Sequence, residues 1–195
     1  MASFTITAKP GTDIWRKPPS TNIFNAPSKP PTTGPSTAPL SAFVSARVSF
    51  RLPAAVQYDQ AGLLLSLRPP SSPSSSAPPP KWIKTGVEFY NGTPMVGTVA
   101  CDAYADWSLA PVAGSGEEWV TVAVERGQDE NGVGVWVYQV LGSGEKVPLR
   151  EVCWIFGKET EGWEVEVGAF AARPNTSVTE ALEPEFKGLE VEWAA

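Results

Sequence analysis

The feature that most constrains the fold is a succession of short strand-like runs separated by turn signals. The run Ala42–Leu52 alternates apolar and polar residues with a period of two, which is typical of an antiparallel strand with one buried face. Other runs rich in Val, Ile, Trp, Phe and Tyr are Ala61–Leu67, Trp82–Tyr90, Met95–Cys101, Trp119–Glu125, Val133–Val140, Val147–Phe156, Trp163–Ala171 and Leu189–Trp193. Turn signals such as Asn91-Gly92 lie between them, and only Ser177–Glu185 indicates a helical turn. The pattern predicts an all-β sandwich of two antiparallel sheets, formed by one domain over residues 1–195.

Some of these runs are apolar on both faces, for example Val135–Val140 and Val152–Phe156. One face would pack against the partner sheet, and we expect the other to line a concave groove that carries aromatic side chains. This is the geometry of a jelly roll.

Two segments, 28–39 and 69–80, consist almost entirely of Pro, Ser and Thr. They offer little apolar surface to bury and few backbone N–H groups to donate, so they are predicted to be mobile loops. The second lies between two strand-like runs and is interpreted as an enlarged hairpin connection.

Composition excludes several classes of function. The chain has no histidine, which excludes Ser–His–Asp hydrolase sites and His-ligated metals. A net charge of −6 argues against a nucleic-acid partner. No run is long enough to span a membrane, and the first residues do not resemble a signal peptide, so we expect a cytoplasmic protein with free, buried thiols at Cys101 and Cys153. We expect no cofactor and no metal, and interpret the acidic stretch Asp129–Asn131 as a polar turn rather than a calcium site.

The clearest candidate site lies in the run Trp82–Tyr90. With a period of two, Lys84 and Glu88 share a face with Trp82 and Tyr90, where charged groups are costly unless paired. Aromatic rings beside fixed polar groups are what a sugar-binding surface needs. The predicted ligand-binding residues are Trp15, Gln60, Lys84, Glu88, Tyr90 and Trp107. The alternative is a purely structural arrangement, in which Lys84 and Glu88 lie roughly 13 Å apart along the strand and each has a cross-strand partner.

Two other groups of residues leave alternatives open. Asp106 and Trp107 could grip a ligand, or Asp106 could cap a turn while Trp107 plugs one end of the sandwich. Glu164 and Glu166 could be a pair of hydrolase carboxylates, but alternating Glu residues on an edge strand are more often a solvated face. No catalytic residue is therefore assigned, and a non-catalytic protein is favoured.

Several motifs together resemble an uncharacterised concanavalin-A-like family, domain of unknown function 1349. The motifs are Asp13–Trp15 with Pro18, Tyr58–Leu64, Lys81–Phe89, Asp106–Ser108 and Val167–Pro174. The resemblance implies a lectin/glucanase-type jelly roll and no established activity. The family includes bacterial proteins encoded near polysaccharide-degradation genes and a fungal cytosolic protein linked to enolase regulation.

The leading hypothesis is a non-catalytic, cytosolic lectin-like binding or regulatory module for a carbohydrate or small polar ligand. The alternatives are a protein–protein adaptor that regulates a metabolic enzyme, and a weak or vestigial glycoside hydrolase.

Overall fold

The computed structural model describes residues 3–53, 56–70, 77–114 and 118–194. Within these ranges the chain forms short 3₁₀ turns at Leu40–Ala42 and Lys158–Thr160 and fifteen strands. The strands are β1 (Phe4–Thr5), β2 (Ile14–Lys17), β3 (Thr21–Phe24), β4 (Ser28–Lys29), β5 (Thr37–Pro39), β6 (Phe43–Arg51), β7 (Gln60–Arg68), β8 (Lys81–Tyr90), β9 (Thr93–Cys101), β10 (Ala105–Pro111), β11 (Val120–Asp129), β12 (Gly132–Val140), β13 (Lys146–Val152), β14 (Glu164–Ala172) and β15 (Glu185–Trp193).

Two large antiparallel sheets form a jelly-roll sandwich, as the sequence predicts. The six-stranded sheet has the order β1-β15-β6-β11-β12-β13, and the seven-stranded sheet has the order β10-β9-β8-β7-β14-β4, with β5 also paired to β14. Strands β2 and β3 form a separate hairpin. Among the described residues there is no helix long and apolar enough to cross a membrane.

The main core lies between the two sheets and is built from alternate residues of their strands. On β6, Ala46, Val48 and Phe50 are buried, as the period-two pattern predicts. On β8 the core residues are Ile83 and Val87. The intervening side chains of β8 therefore project from the opposite face of the seven-stranded sheet. We call this outward surface, which carries Gln60, Lys84 and Glu88, the site face.

Several boundaries differ from the predictions. Strand β10 was not predicted, because its residues mix Asp, Ser and Pro with apolar side chains and give no clear period. The predicted run Val147–Phe156 ends as a strand at Val152. The helical turn expected at Ser177–Glu185 is wrong, because Leu182 is extended and exchanges backbone hydrogen bonds with Ala8 at 2.8 and 2.9 Å.

The second apolar face of β12 does not line the groove that the sequence predicts for it. Val135 and Val137 are buried in the core, and Trp136 and Tyr138 stack on each other on the outside of the six-stranded sheet. The half-exposed aromatic pair is therefore on the sheet opposite the site face.

The Pro-rich segment 28–39 is also a correction to the prediction of a mobile loop. It runs along β14 as the short strands β4 and β5, and Pro31 is buried. Within it, the carbonyl oxygen of Ser36 accepts the N–H of Val167 at 2.8 Å, and just before it, the carbonyl oxygen of Pro27 accepts the N–H of Ala171 at 3.2 Å. Segment 69–80 joins the paired strands β7 and β8, but its residues 71–76 lie outside the described residues.

Two glycines let the central strands of the seven-stranded sheet approach each other closely. Gly62 of β7 is the register partner of Gly86 of β8. A Cβ on Gly86 would lie 2.0 Å from the carbonyl oxygen of Ala61, and a Cβ on Gly62 would lie 2.0 Å from that of Thr85. Both obstacles are backbone atoms, which cannot move aside without distorting the sheet.

Replacing Gly86 by alanine is therefore expected to lower the free energy of unfolding by about 3 kcal/mol or more, the upper end of overpacking costs. Urea unfolding followed by tryptophan fluorescence measures this change. Gly97→Ala is the matched control on the next strand, where the nearest atom to a new Cβ is the flexible Leu109 Cδ2 at 3.1 Å. Equal losses for the two variants would contradict the interpretation.

Candidate functional site

The hairpin of β2 and β3 covers one part of the site face. Beneath it a second apolar cluster forms around Ile14, Leu64, Trp82 and Phe170. Beyond this cluster the site face is open, and a cavity of about 370 Å³ remains between the hairpin and the sheet. The residues that line it are Asp13, Trp15, Lys17, Tyr58, Gln60, Lys84, Glu88, Trp107 and Pro174.

Five of the six residues predicted from the sequence line this cavity: Trp15, Gln60, Lys84, Glu88 and Trp107. The sheet register brings the central three together, because Gln60 is paired with Glu88, and Lys84 lies four residues before Glu88 on the same face. Tyr90 is not in the lining, but its ring packs edge-on against Trp107 with the centroids 5.4 Å apart. The sequence reasoning missed Asp13, Lys17, Tyr58 and Pro174, which lie on or next to loops with no periodic signal.

Lys84 is the buried cation of the cavity floor, with only 4% of its surface exposed. Its Nζ donates to Gln60 Oε1 at 2.6 Å and lies 3.7 Å from Asp13 Oδ1. The ammonium also lies 5.9 Å from the centre of the Trp15 ring, within the range of a cation–π contact. Burial lowers the pKa of Lys84, and the charges of Asp13 and Glu88 oppose that shift. Lys84 thus has the partners that the structural interpretation requires and also borders the cavity.

Asp13 is held rigidly at the start of the hairpin. Its Oδ1 accepts the N–H of Ile14 at 2.7 Å and faces Gln60 Nε2 at 3.4 Å, and its own N–H donates to Asn25 Oδ1 at 2.7 Å. The carboxylate that faces Lys84 is therefore positioned by backbone contacts.

Glu88 is the second carboxylate of the cavity floor and is 9% exposed. Burial raises its pKa to about 7, and the charge of Lys84 and the nearby Trp107 indole lower it only in part. The Trp107 Nε1 atom is itself buried and makes no hydrogen bond of ordinary geometry with the described residues. The cavity thus contains a carboxylate and an N–H donor that are not fully satisfied within the protein.

Three aromatic rings, Trp15, Trp107 and Tyr58, line the cavity, and Tyr90 packs behind them between Trp107 and Tyr58. Trp15 meets Trp107 edge-on at 6.1 Å, Trp107 meets Tyr90 at 5.4 Å, and Tyr90 meets Tyr58 at 6.1 Å. Tyr58 is 42% exposed, and its backbone has a positive φ of 69°. That left-handed conformation, which is uncommon for a bulky residue, directs the chain around the mouth of the cavity.

A buried ion pair fixes this mouth. The guanidinium of Arg173 donates to both carboxylate oxygens of Asp59, at 3.0 and 2.6 Å, and also to the carbonyl of Glu180 at 2.7 Å. Asp59 is fully buried and also accepts the N–H of Val56 at 2.9 Å. The two residues of the pair are the chain neighbours of Tyr58, Gln60 and Pro174. No local sequence pattern indicates this ion pair, because its members are 114 residues apart.

The other sequence candidates lie elsewhere. Asp106 belongs to a strand, and its carboxylate pairs with Arg150 at 3.3 Å, so it neither caps a turn nor faces the cavity. Trp107 is part of the cavity wall and not a plug at the end of the sandwich. Glu164 and Glu166 are exposed at the far end of the site face, roughly 20–26 Å along the sheet from Gln60.

The remaining polar candidates have simple structural surroundings. Asp129 Oδ1 accepts the N–H groups of Asn131 and Gly132, as in a polar turn. Over the described ranges, no group of three or more Cys, Asp or Glu residues could hold a metal ion. Cys101 is buried as expected, whereas Cys153 is exposed because the strand ends before it.

Comparisons with known proteins identify the family. A family model described as "Protein of unknown function (DUF1349)" matches residues 1–193. The chain belongs to the DUF1349 family. A relative, "Uncharacterized protein AN7484" of Emericella nidulans, is 42% identical over 182 residues, which cover 90% of this chain and 80% of that protein.

Two solved structures place this DUF1349 chain in the jelly-roll class. A functionally unknown protein from Saccharomyces cerevisiae superposes with a TM-score of 0.65 at 19% identity, covering 99% of this chain and 89% of that one. A family 7 alginate lyase solved in complex with its substrate superposes with a TM-score of 0.55 at 11% identity, covering 98% of this chain and 77% of that one. At 19% and 11% sequence identity, these superpositions show that the fold is shared.

Replacing Asp59 by asparagine is expected to lower the free energy of unfolding by about 3–5 kcal/mol, because it leaves the Arg173 charge buried without its partner. Glu190→Gln is the control, since it breaks an ion pair with Arg47 in which both side chains are 53% exposed and should cost less than about 1 kcal/mol. Chemical unfolding of both variants measures the difference. Similar small effects would show that the buried pair does not hold the mouth.

The raised pKa of Glu88 predicts a pH dependence of stability. Between its ordinary value of 4.5 and the folded value of about 7, the folded protein binds more protons at Glu88 than the unfolded chain does, so the free energy of unfolding falls as pH rises. The loss is complete above pH 7 and amounts to at most about 3 kcal/mol.

Glu88→Gln removes this pH-dependent contribution to the free energy of unfolding. The stability of the variant relative to the wild type should therefore increase from pH 5 to pH 8, as measured by urea unfolding at each pH. Parallel curves for the two proteins would contradict the assigned burial of Glu88.

Proposed function

We propose that this protein is a non-catalytic binding module that takes a carbohydrate or similar small polyhydroxy ligand in the cavity of the site face. The observation that supports this most strongly is the composition of the cavity. Aromatic rings form its wall, and Gln60, Lys84 and Glu88 present fixed polar atoms on its floor.

The chemistry of such a lining suits a sugar. The apolar face of a pyranose packs against an aromatic ring, and its hydroxyl groups need donors and acceptors held at fixed positions. Trp15 and Trp107 offer ring surfaces, while Gln60 and Asp13 are held by hydrogen bonds to neighbouring groups. Because these groups are already ordered, less conformational entropy would be lost on binding.

The shared fold is consistent with this proposal. The alginate lyase with the same architecture binds a saccharide substrate, which supports a carbohydrate for this chain by analogy of fold. A binding role is favoured over hydrolysis because the Asp13 carboxylate is engaged by Ile14 and Lys84, and Glu164 and Glu166 lie far from the cavity. The cytoplasmic location, the link to enolase regulation and the role as an adaptor for a metabolic enzyme stay predictions from the sequence.

A glycan array followed by calorimetry with the best glycan tests the proposal. Trp15→Ala should weaken binding about tenfold, which corresponds to the loss of about 1.4 kcal/mol of ring contact. Trp136→Ala is the matched control, because it removes an aromatic ring from the outside of the other sheet. The proposal fails if no glycan binds the wild type, or if both variants weaken binding equally.

A further inference from the structure

The inner part of the cavity has more negative than positive groups. Asp13 and Glu88 are its two carboxylates and Lys84 is its buried ammonium, while Lys17 is exposed at the mouth, where water solvates it. Lys84 is directed to Gln60 and Asp13. Among the described residues, no Lys or Arg nitrogen lies within 4.0 Å of the Glu88 carboxylate.

The indole N–H of Trp107 lies beside this carboxylate and opposes the rise in its pKa that burial causes. Glu88 Oε2 and Trp107 Nε1 are each 3.6 Å from the position that a Cβ on Gly97 would occupy. The two atoms therefore flank the same small region of space above a residue that has no side chain. The indole nitrogen is buried and has no hydrogen-bond partner of ordinary geometry within the described ranges. A carboxyl group and an indole donor, neither with a hydrogen bond of ordinary geometry to the other, thus lie side by side.

The aromatic wall suits a cation as well as a sugar ring. The faces of Trp and Tyr rings carry negative electrostatic potential and attract ammonium groups within about 6 Å. Trp15 already receives Lys84 in this way, and the rings of Trp107 and Tyr58 also line the cavity.

We infer that the ligand of this cavity carries a protonated amine next to a hydroxyl group, as a 2-amino-2-deoxy sugar does. The amine would donate to the Glu88 carboxylate, and the neighbouring oxygen would accept the Trp107 N–H. This inference rests on the proposed function and narrows its ligand class. A neutral sugar offers the buried Glu88 carboxyl group no positive charge to stabilise its ionised form, and an acidic sugar brings a carboxylate against Asp13 and Glu88.

Titration calorimetry at pH 7 with four matched methyl glycosides tests the inference. They are those of glucose, glucosamine, N-acetylglucosamine and glucuronic acid, and the last three each differ from the glucoside in one substituent. The glucosaminide is expected to bind about tenfold more tightly than the glucoside, a ratio equal to about 1.4 kcal/mol. The N-acetyl derivative should lose this advantage, because its amide carries no charge.

The ratio of glucosaminide to glucoside affinity identifies the residue responsible. Glu88→Gln should reduce the ratio to about twofold or less, whereas Glu190→Gln, on the exposed face of the other sheet, should leave it unchanged. Equal affinity for the glucosaminide and the glucoside, or tighter binding of the glucuronide, overturns the inference and leaves sugar binding intact. If none of the four glycosides binds while the array identifies another glycan, the inference alone is overturned; if no glycan binds at all, the proposed function is overturned as well.

Discussion

The burial of one ammonium group is the constraint on which the architecture of the site depends. Lys84 lies in the middle of a sheet strand and is nearly inaccessible to water, so its charge needs compensation from other parts of the chain. That compensation comes from Gln60 on the adjacent strand and from Asp13 at the start of the β2–β3 hairpin. The same interaction that satisfies the charge therefore anchors the hairpin above the sheet. The cavity is the space left where the hairpin stops.

The rest of the site is organised around this charge. Glu88 lies two residues beyond Gly86 on β8. Burial raises its pKa, and Lys84 is close enough for its charge to oppose that shift, but the two side chains do not form an ion pair. At the mouth, the buried pair of Asp59 and Arg173 holds the loop in which Tyr58 adopts its unusual backbone conformation. Charges inside an apolar protein are costly. Strands β7 and β8 and the β2–β3 hairpin meet here because each supplies a group that interacts with the buried Lys84 charge.

The sequence was sufficient to predict the fold class and the orientation of the central strands. Period-two alternation places Lys84 and Glu88 on one face of β8, and the same alternation on β7 adds Gln60, so register alone brings these three together. It was not sufficient for Asp13 and Tyr58, because loops follow no periodic rule and their position depends on the tertiary contacts they make. The pairing of Asp59 with Arg173 spans 114 residues, and no local pattern encodes a contact of that range. Prolines in 28–39 suggested a mobile loop, yet a proline-rich segment can still lie along β14 because its carbonyl groups accept hydrogen bonds from that strand.

That last arrangement has a consequence for how the protein behaves in a crowded solution. An uncovered strand edge is a template on which another molecule can add its own strand and begin to aggregate. Along β14 this position is filled by a chain stretch with prolines at 27, 30, 31, 35 and 39, which have no N–H groups to offer a newcomer. The prolines that suggested a mobile loop therefore disfavour the addition of a strand from another molecule at this edge of the sheet.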